Sequence, residues 1–170
     1  RLSREMSLLG RREVLTGKAK FGIFGDGKEL AQIAMAKFFN DGDWRSGYYR
    51  DQTLMMATGL FSAEDFFAQL YGQTDVELNS GNAGRSFNNH FGTRSLNPDG
   101  SWKDLVSTKN SSADISPTAG QMPRLLGLAW ASKLYRHNKF LKDYKGFSVN
   151  GNEVAFGTIG DASTSEGHFF

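Results

Sequence analysis

The stretch that decides the fold is Val154-Ala155-Phe156-Gly157-Thr158-Ile159-Gly160-Asp161-Ala162-Ser163-Thr164-Ser165-Glu166-Gly167. Its first six residues form a short, mostly apolar run. That pattern predicts a strand buried on both faces, as in a parallel sheet covered by helices. Gly160, Asp161 and two small residues follow, which predicts a turn at the carboxyl end of that strand, opening a helix. Such a junction offers a carboxylate, open backbone N–H groups and the positive end of a helix. Together these suit a metal ion bound to a phosphate ester, with Asp161 as ligand. Taken alone, a strand-terminal Gly-Asp is more often an ordinary turn, so the rest of the chain must decide.

Working upstream, Pro123 stands at a helix start, followed by Leu125, Leu126, Leu128, Ala129, Ala131 and Leu134. Lys133, Arg136, His137 and Lys139 crowd its far end, where cations suit the helix dipole. Before it, residues 74–120 are rich in glycine, asparagine and serine without a helical or strand period. A loop of that length inside one domain is uncommon and usually functional. Earlier still, Ser62 with Glu64 and Asp65 reads as a helix N-terminus, and the helix ends by Gly72. Residues 29–40 read as a well-buried helix carrying Leu30, Ile33, Phe38 and Phe39. Leu2 to Leu15 predicts a first helix closed by Gly17. Helix, long loop, helix, strand and phosphate-type turn make an α/β protein with a parallel sheet flanked by helices.

The 170 residues suffice for one domain with a core, and 39% hydrophobic against 22% charged content fits a folded chain. A net charge of +2 gives no support to nucleic acid or an anionic membrane as partner. The absence of cysteine removes disulfides, thiolate metal sites and thiol nucleophiles together. No apolar run reaches eighteen residues, so a soluble protein is expected. The start at Arg1 and the apolar last residues suggest a fragment or a processed piece of a longer chain.

Gly22-Ile23-Phe24-Gly25-Asp26-Gly27-Lys28-Glu29 nearly spells a nucleoside-triphosphate loop. Its last position needs a hydroxyl for magnesium and holds Glu29, and no apolar strand precedes it. A glycine turn before a helix is the better reading. Gly47-Tyr48-Tyr49-Arg50-Asp51 offers a guanidinium and phenols for a phosphate, with an exposed ion pair as the plain alternative. Ser116-Pro117-Thr118-Ala119-Gly120-Gln121-Met122-Pro123 is a stiff polar loop leading into a helix, where simple capping is the alternative.

In this order and spacing, "GYYRD" at 47–51, "HFG" at 90–92, "SPTAGQMP" at 116–123 and "GDASTSEG" at 160–167 carry a resemblance. The chain resembles the alpha-type half of the thiamine-diphosphate-dependent decarboxylating component of 2-oxo acid dehydrogenase complexes. "AQLYG" at 68–72 and "GRSFNNHFG" at 84–92 look like the branched-chain members rather than the pyruvate members. The resemblance implies one thiamine-diphosphate-binding α/β domain over residues 1–170, with 74–120 as its functional loop. It implies magnesium on Asp161, the diphosphate on Tyr49 and Arg50, and help from the amides of Ala162 and Ser163. Ser116 and Thr118 would lie beside the aminopyrimidine and substrate, and Phe21 and Tyr48 would line an acyl pocket. His90 is a candidate for closing the channel to the coenzyme. His137 reads as a solvated helix-end residue and His168 as a packing residue.

The implied activity is oxidative decarboxylation of a branched-chain 2-oxo acid with acyl transfer to a lipoyl group. A pyruvate or acetoin relative, or an assembly module without catalysis, are the alternatives. The implied partners are a beta-type half, separate or fused downstream, and a lipoyl acyltransferase core, in an oligomer of the cytoplasm or a mitochondrial matrix. The chain departs from the family's usual pattern at Tyr48, where glutamine is usual, at Ala162, often glycine, and at Gly120, usually threonine. The last change removes a hydroxyl from the monovalent-cation site of some branched-chain members.

Overall fold

Trp44-Arg45-Ser46 forms the middle strand of a three-stranded parallel sheet, and everything in its half of the chain is arranged around it. The computed structural model describes residues 1–170 and contains five α-helices: α1 (Leu2–Leu15), α2 (Glu29–Ala36), α3 (Gln52–Ala57), α4 (Ala63–Leu70) and α5 (Gln121–His137). The strands are β1 (Trp44–Ser46), β2 (Asn110–Ser111) and β3 (Ala155–Gly157), in the order β2-β1-β3. Register pairs Trp44 with Asn110 and Ala155, and Arg45 with Ser111 and Phe156. The α/β class with a small parallel sheet is therefore as the sequence predicts. No helix is long and apolar enough to cross a membrane.

Two compact units divide the chain. The first comprises Arg1–Phe38 and Tyr49–Phe91, the second Phe39–Tyr48 and Gly92–Phe170.

The first unit is helical. Its apolar cluster gathers Met6, Ala19, Met55, Phe61, Phe66, Leu70 and Phe91, with Phe66 fully buried. Phe61 meets Phe91 edge-on at 4.8 Å, and Phe66 meets Phe67 at 5.0 Å, geometries that suit the aromatic quadrupole. α4 begins at a reciprocal cap. Ser62 Oγ accepts the Asp65 N–H at 3.0 Å, and the Asp65 carboxylate accepts the Ser62 N–H at 2.9 Å. α1 has the predicted bounds. α2 corrects the prediction, because it stops at Ala36 and leaves Leu30 and Ile33 exposed. Its buried residue is Gln32, whose amide donates to the Arg50 carbonyl at 2.9 Å and accepts the Leu54 N–H at 3.0 Å. The helix thus docks on α3 by an amide, not through the apolar residues that suggested a buried face.

In the second unit α5 packs on β1 and β3, while Phe156 meets Phe39 edge-on at 5.2 Å. β3 is shorter and less buried than its sequence suggests: Ala155 and Phe156 are half-buried and Gly157 is exposed. The stretch after Asp161 is a second correction. It forms a 3-10 turn, Ala162–Ser165, instead of opening an α-helix. Thr164 Oγ1 bonds back to the Asp161 carbonyl at 2.7 Å, and hydroxyl-rich runs of this kind favour such local closure over helix. Within 92–120 an antiparallel bridge joins Leu96 to Trp102 and a 3-10 turn spans Leu105–Ser107.

Candidate functional site

The turn after β3 is built by close approach. A methyl group on Gly160 would lie 2.9 Å from the Tyr48 hydroxyl and 3.2 Å from Ser163 Oγ. The phenol of Tyr48 therefore rests on the Gly160 backbone, and any side chain there would push it away. Ser163 is buried, and its N–H is already spent on the Gly160 carbonyl at 3.1 Å. The open donor of the pair is Ala162, which lies exposed beside the exposed Asp161. A short 3-10 turn carries little dipole, so the carboxylate and that amide are what the turn offers an anion–metal pair.

Gln121, the first residue of α5, fastens the other loop to this strand. Its amide donates to the Thr158 carbonyl at 2.9 Å, and its own carbonyl accepts Ser46 Oγ at 2.9 Å. The 116–121 segment is thereby tied three residues upstream of Asp161, while Ser116 and Thr118 themselves are exposed. A side chain at Gly120 would meet Ile115 Cδ1 at 2.6 Å and the Pro117 carbonyl at 3.1 Å. The local packing has closed over the place where a threonine would stand.

Tyr49, Arg50, Phe21 and His90 belong to the first unit. The Arg50 guanidinium lies over the Tyr49 ring at 5.6 Å, within cation–π range. Phe21 contacts Phe87 at 4.5 Å, and His90 stands 6.4 Å beyond Phe87. A cavity of about 360 Å³ opens beside this group, lined among others by Lys18, Lys20, Phe21, Tyr71 and Phe87. Tyr71 donates to Glu13 at 2.7 Å, which raises the phenol's pKa and holds the carboxyl of Glu13 below its usual range.

His90 is buried, and its Nδ1 faces the carbonyls of Phe87 at 3.1 Å and Asn88 at 3.3 Å. Two carbonyl acceptors there suit a proton on Nδ1. Asn88 and Asn89 hold this segment: Asn88 exchanges two bonds with Ile23, and Asn89 donates to the carbonyl of Ile23 and to Gln52 Oε1. His137 is exposed in the last turn of α5. His168, expected to pack, is exposed instead, because no helix forms after Asp161 to carry it inward.

The triphosphate-loop resemblance ends as a turn. Glu29 accepts the Gly27 N–H at 3.0 Å and binds Arg4 through two bonds, one of 2.8 Å, which hold its carboxyl down to about 2. Arg11 pairs with Asp26 at 2.7 Å, so the loop is pinned to α1 by its own acids.

Sequence reading missed Arg45 and Asp114. Their side chains are 1% and 3% exposed and form a two-bond ion pair at 2.9 and 3.1 Å. A charge in the middle residue of a central strand was the available signal. No group of three or more His, Asp or Glu side chains is placed to hold a metal. The Asp161 carboxylate fits one position of a hard cation whose other positions are filled by phosphate oxygens and water, and the open Ala162 N–H can donate to one of those phosphate oxygens.

The chain is an α/β protein with a carboxylate turn at the carboxyl end of a parallel strand and a second loop, at a helix start, tied to that strand. The family model described as dehydrogenase E1 component matches residues 3–170, and the chain belongs to that family. It is part of a 2-oxo acid dehydrogenase component, and the family depends on thiamine diphosphate. E1 components act in dehydrogenase complexes with beta-type subunits and a lipoyl acyltransferase.

Proposed function

We propose that this chain serves the oxidative decarboxylation of a branched-chain 2-oxo acid and passes the acyl group to a lipoyl arm. Asp161 would hold magnesium, Tyr49 and Arg50 would hold the coenzyme diphosphate, and the amides of Ala162 and Ser163 would assist. Ser116 and Thr118 would border the aminopyrimidine and substrate. The observation that carries the assignment is the meeting of Tyr48, Gly160 and Ser163 beside the exposed Asp161 at the exit of β3.

Thiamine diphosphate supplies the carbanion chemistry that removes carbon dioxide. The chain's own work is to bind, orient and exclude water. Arg50 grips an anion with a fork suited to phosphate oxygens. Phe21 and Tyr48 are assigned to the acyl chain, and the aromatic-walled cavity at Phe21 and Phe87 is of a size that suits a small branched aliphatic group. His90, with Nδ1 held against backbone carbonyls, is assigned to closing the channel to the coenzyme.

Titration calorimetry of the intact component with thiamine diphosphate and magnesium tests the site. Asp161→Ala should abolish metal-dependent binding, and Arg50→Ala should weaken it by about 1.5–3 kcal/mol. Unchanged affinity in both variants would end the assignment. A comparison of 3-methyl-2-oxobutanoate with pyruvate as substrates decides the branched-chain reading.

A further inference from the structure

We propose that the buried Arg45–Asp114 ion pair is a positioning device for the coenzyme site, setting coenzyme affinity without touching the coenzyme. This inference rests on the reading above of Ser116 and Thr118 as coenzyme-side residues.

The guanidinium reaches three separate segments at once. It donates to Ser111 Oγ at 2.8 Å on β2 and to both Asp114 oxygens on the loop beyond β2. It also donates to the Tyr48 carbonyl at 3.0 Å, where the chain leaves β1. The backbone of the same residue takes part as well. The Arg45 carbonyl accepts the Ser112 N–H at 2.8 Å and Ser112 Oγ at 3.0 Å. Asp114 lies two residues before Ser116 and four before Thr118, and Tyr48 immediately precedes Tyr49 and Arg50. One planar group therefore fixes the bases of both loops that the functional reading assigns to the coenzyme.

Stability alone does not call for a charge here. Buried ion pairs lose much of their attraction to desolvation, and well-packed apolar pairs often serve as well or better. What an apolar pair cannot do is hold three acceptors at set angles. The loop needs that service, because Ser116, Pro117 and Thr118 are exposed and Ala119 sits in the left-handed region at φ 63. Burial holds Ala119 but none of the three residues before it. Only a guanidinium fork spans these partners; a lysine is a point charge on a flexible stem.

The test compares the intact component with a double variant, Arg45→Leu with Asp114→Leu, and with Arg45→Lys should the double variant fail to fold. Amide exchange is read without coenzyme over residues 112–120, together with the unfolding midpoint and thiamine diphosphate affinity in magnesium. The proposal expects a midpoint close to wild type, faster exchange confined to 112–120, and a dissociation constant raised about tenfold or more. Wild-type exchange and affinity in a folded variant would overturn it. So would exchange quickened equally through all of β1, β2 and β3, which marks general loss of stability. If the wild-type component binds no thiamine diphosphate, the functional reading falls, and the exchange over 112–120 still decides whether the pair orders the loop.

Discussion

The first unit buries Met6, Met55, Phe61, Phe66, Leu70 and Phe91 together, whereas the second buries Arg45, Ser46, Asn110, Ser111 and Gln121 with Phe39, Leu105 and Ala119. The first surrounds that hydrocarbon with buried amides, Gln32, Gln52, Gln69, Asn88 and Asn89, and keeps its ion pairs Arg4–Glu29 and Arg11–Asp26 at its rim. The second places an ion pair in the middle of its sheet. Asn110 shows the same habit, with its amide donating to the Leu105 carbonyl at 2.8 Å and to Thr108 at 2.9 Å. Apolar burial is non-directional and tolerates small shifts, while hydrogen-bonded burial fixes angles. The segments proposed to face the aminopyrimidine and the metal leave the half whose sheet carries the buried ion pair.

That contrast can be broken by mutation. Phe66→Ala should cost the first unit about 3–5 kcal/mol, since it empties a fully buried aromatic site. Amide exchange should quicken in α1 and α4 before it quickens in β1. Asp114→Ala should cost a similar 3–5 kcal/mol or so, because Arg45 is left charged and buried. If denaturant titration instead finds Asp114→Ala nearly neutral, the second unit is not held by its polar interior.

Ser62→Ala sharpens the comparison at smaller scale. It removes the reciprocal cap of α4 and should lower stability by about 1 kcal/mol in a denaturant titration. The smallest effect is expected from Glu29→Gln. The Glu29 carboxyl is held down to about 2 in the folded chain, chiefly by its bond to Arg4, against an ordinary value of 4.5. A depressed folded value means stability present above the ordinary range and lost as pH falls from there towards 2. The variant should therefore show a flatter decline of the unfolding midpoint between about pH 5 and pH 2. An unchanged acid limb would show that this rim pair adds nothing.

Much of the local structure that carries the candidate site is legible in the sequence. Ser62 and Asp65 announce their cap because capping is local, decided within four residues. Pro123 and the leucines after it mark α5, since a 17-residue helix displays its period several times. Asp161 after an apolar run marks the strand exit for the same local reason. β2 could not be read, because two residues show no alternation. α2 misled, for its apolar residues do not say which face will be covered. The 3-10 turn after Asp161 was read as a helix because glycine-flanked small residues suit both, and hydroxyl back-bonding decided between them.

By itself the sequence determined the α/β class, the family and the positions of the motifs proposed to face the coenzyme, because each of these is written in contiguous residues or in their order. Only the tertiary structure decided that the Tyr48 phenol lies on Gly160, that Gln121 binds Thr158, and that Arg45 reaches Asp114 across the sheet. Each of those contacts joins residues 37 or more apart in the chain, or 69 in the case of the ion pair. Their partners are chosen by strand register, and register is set by the packing of the whole sheet, which no single stretch of sequence states.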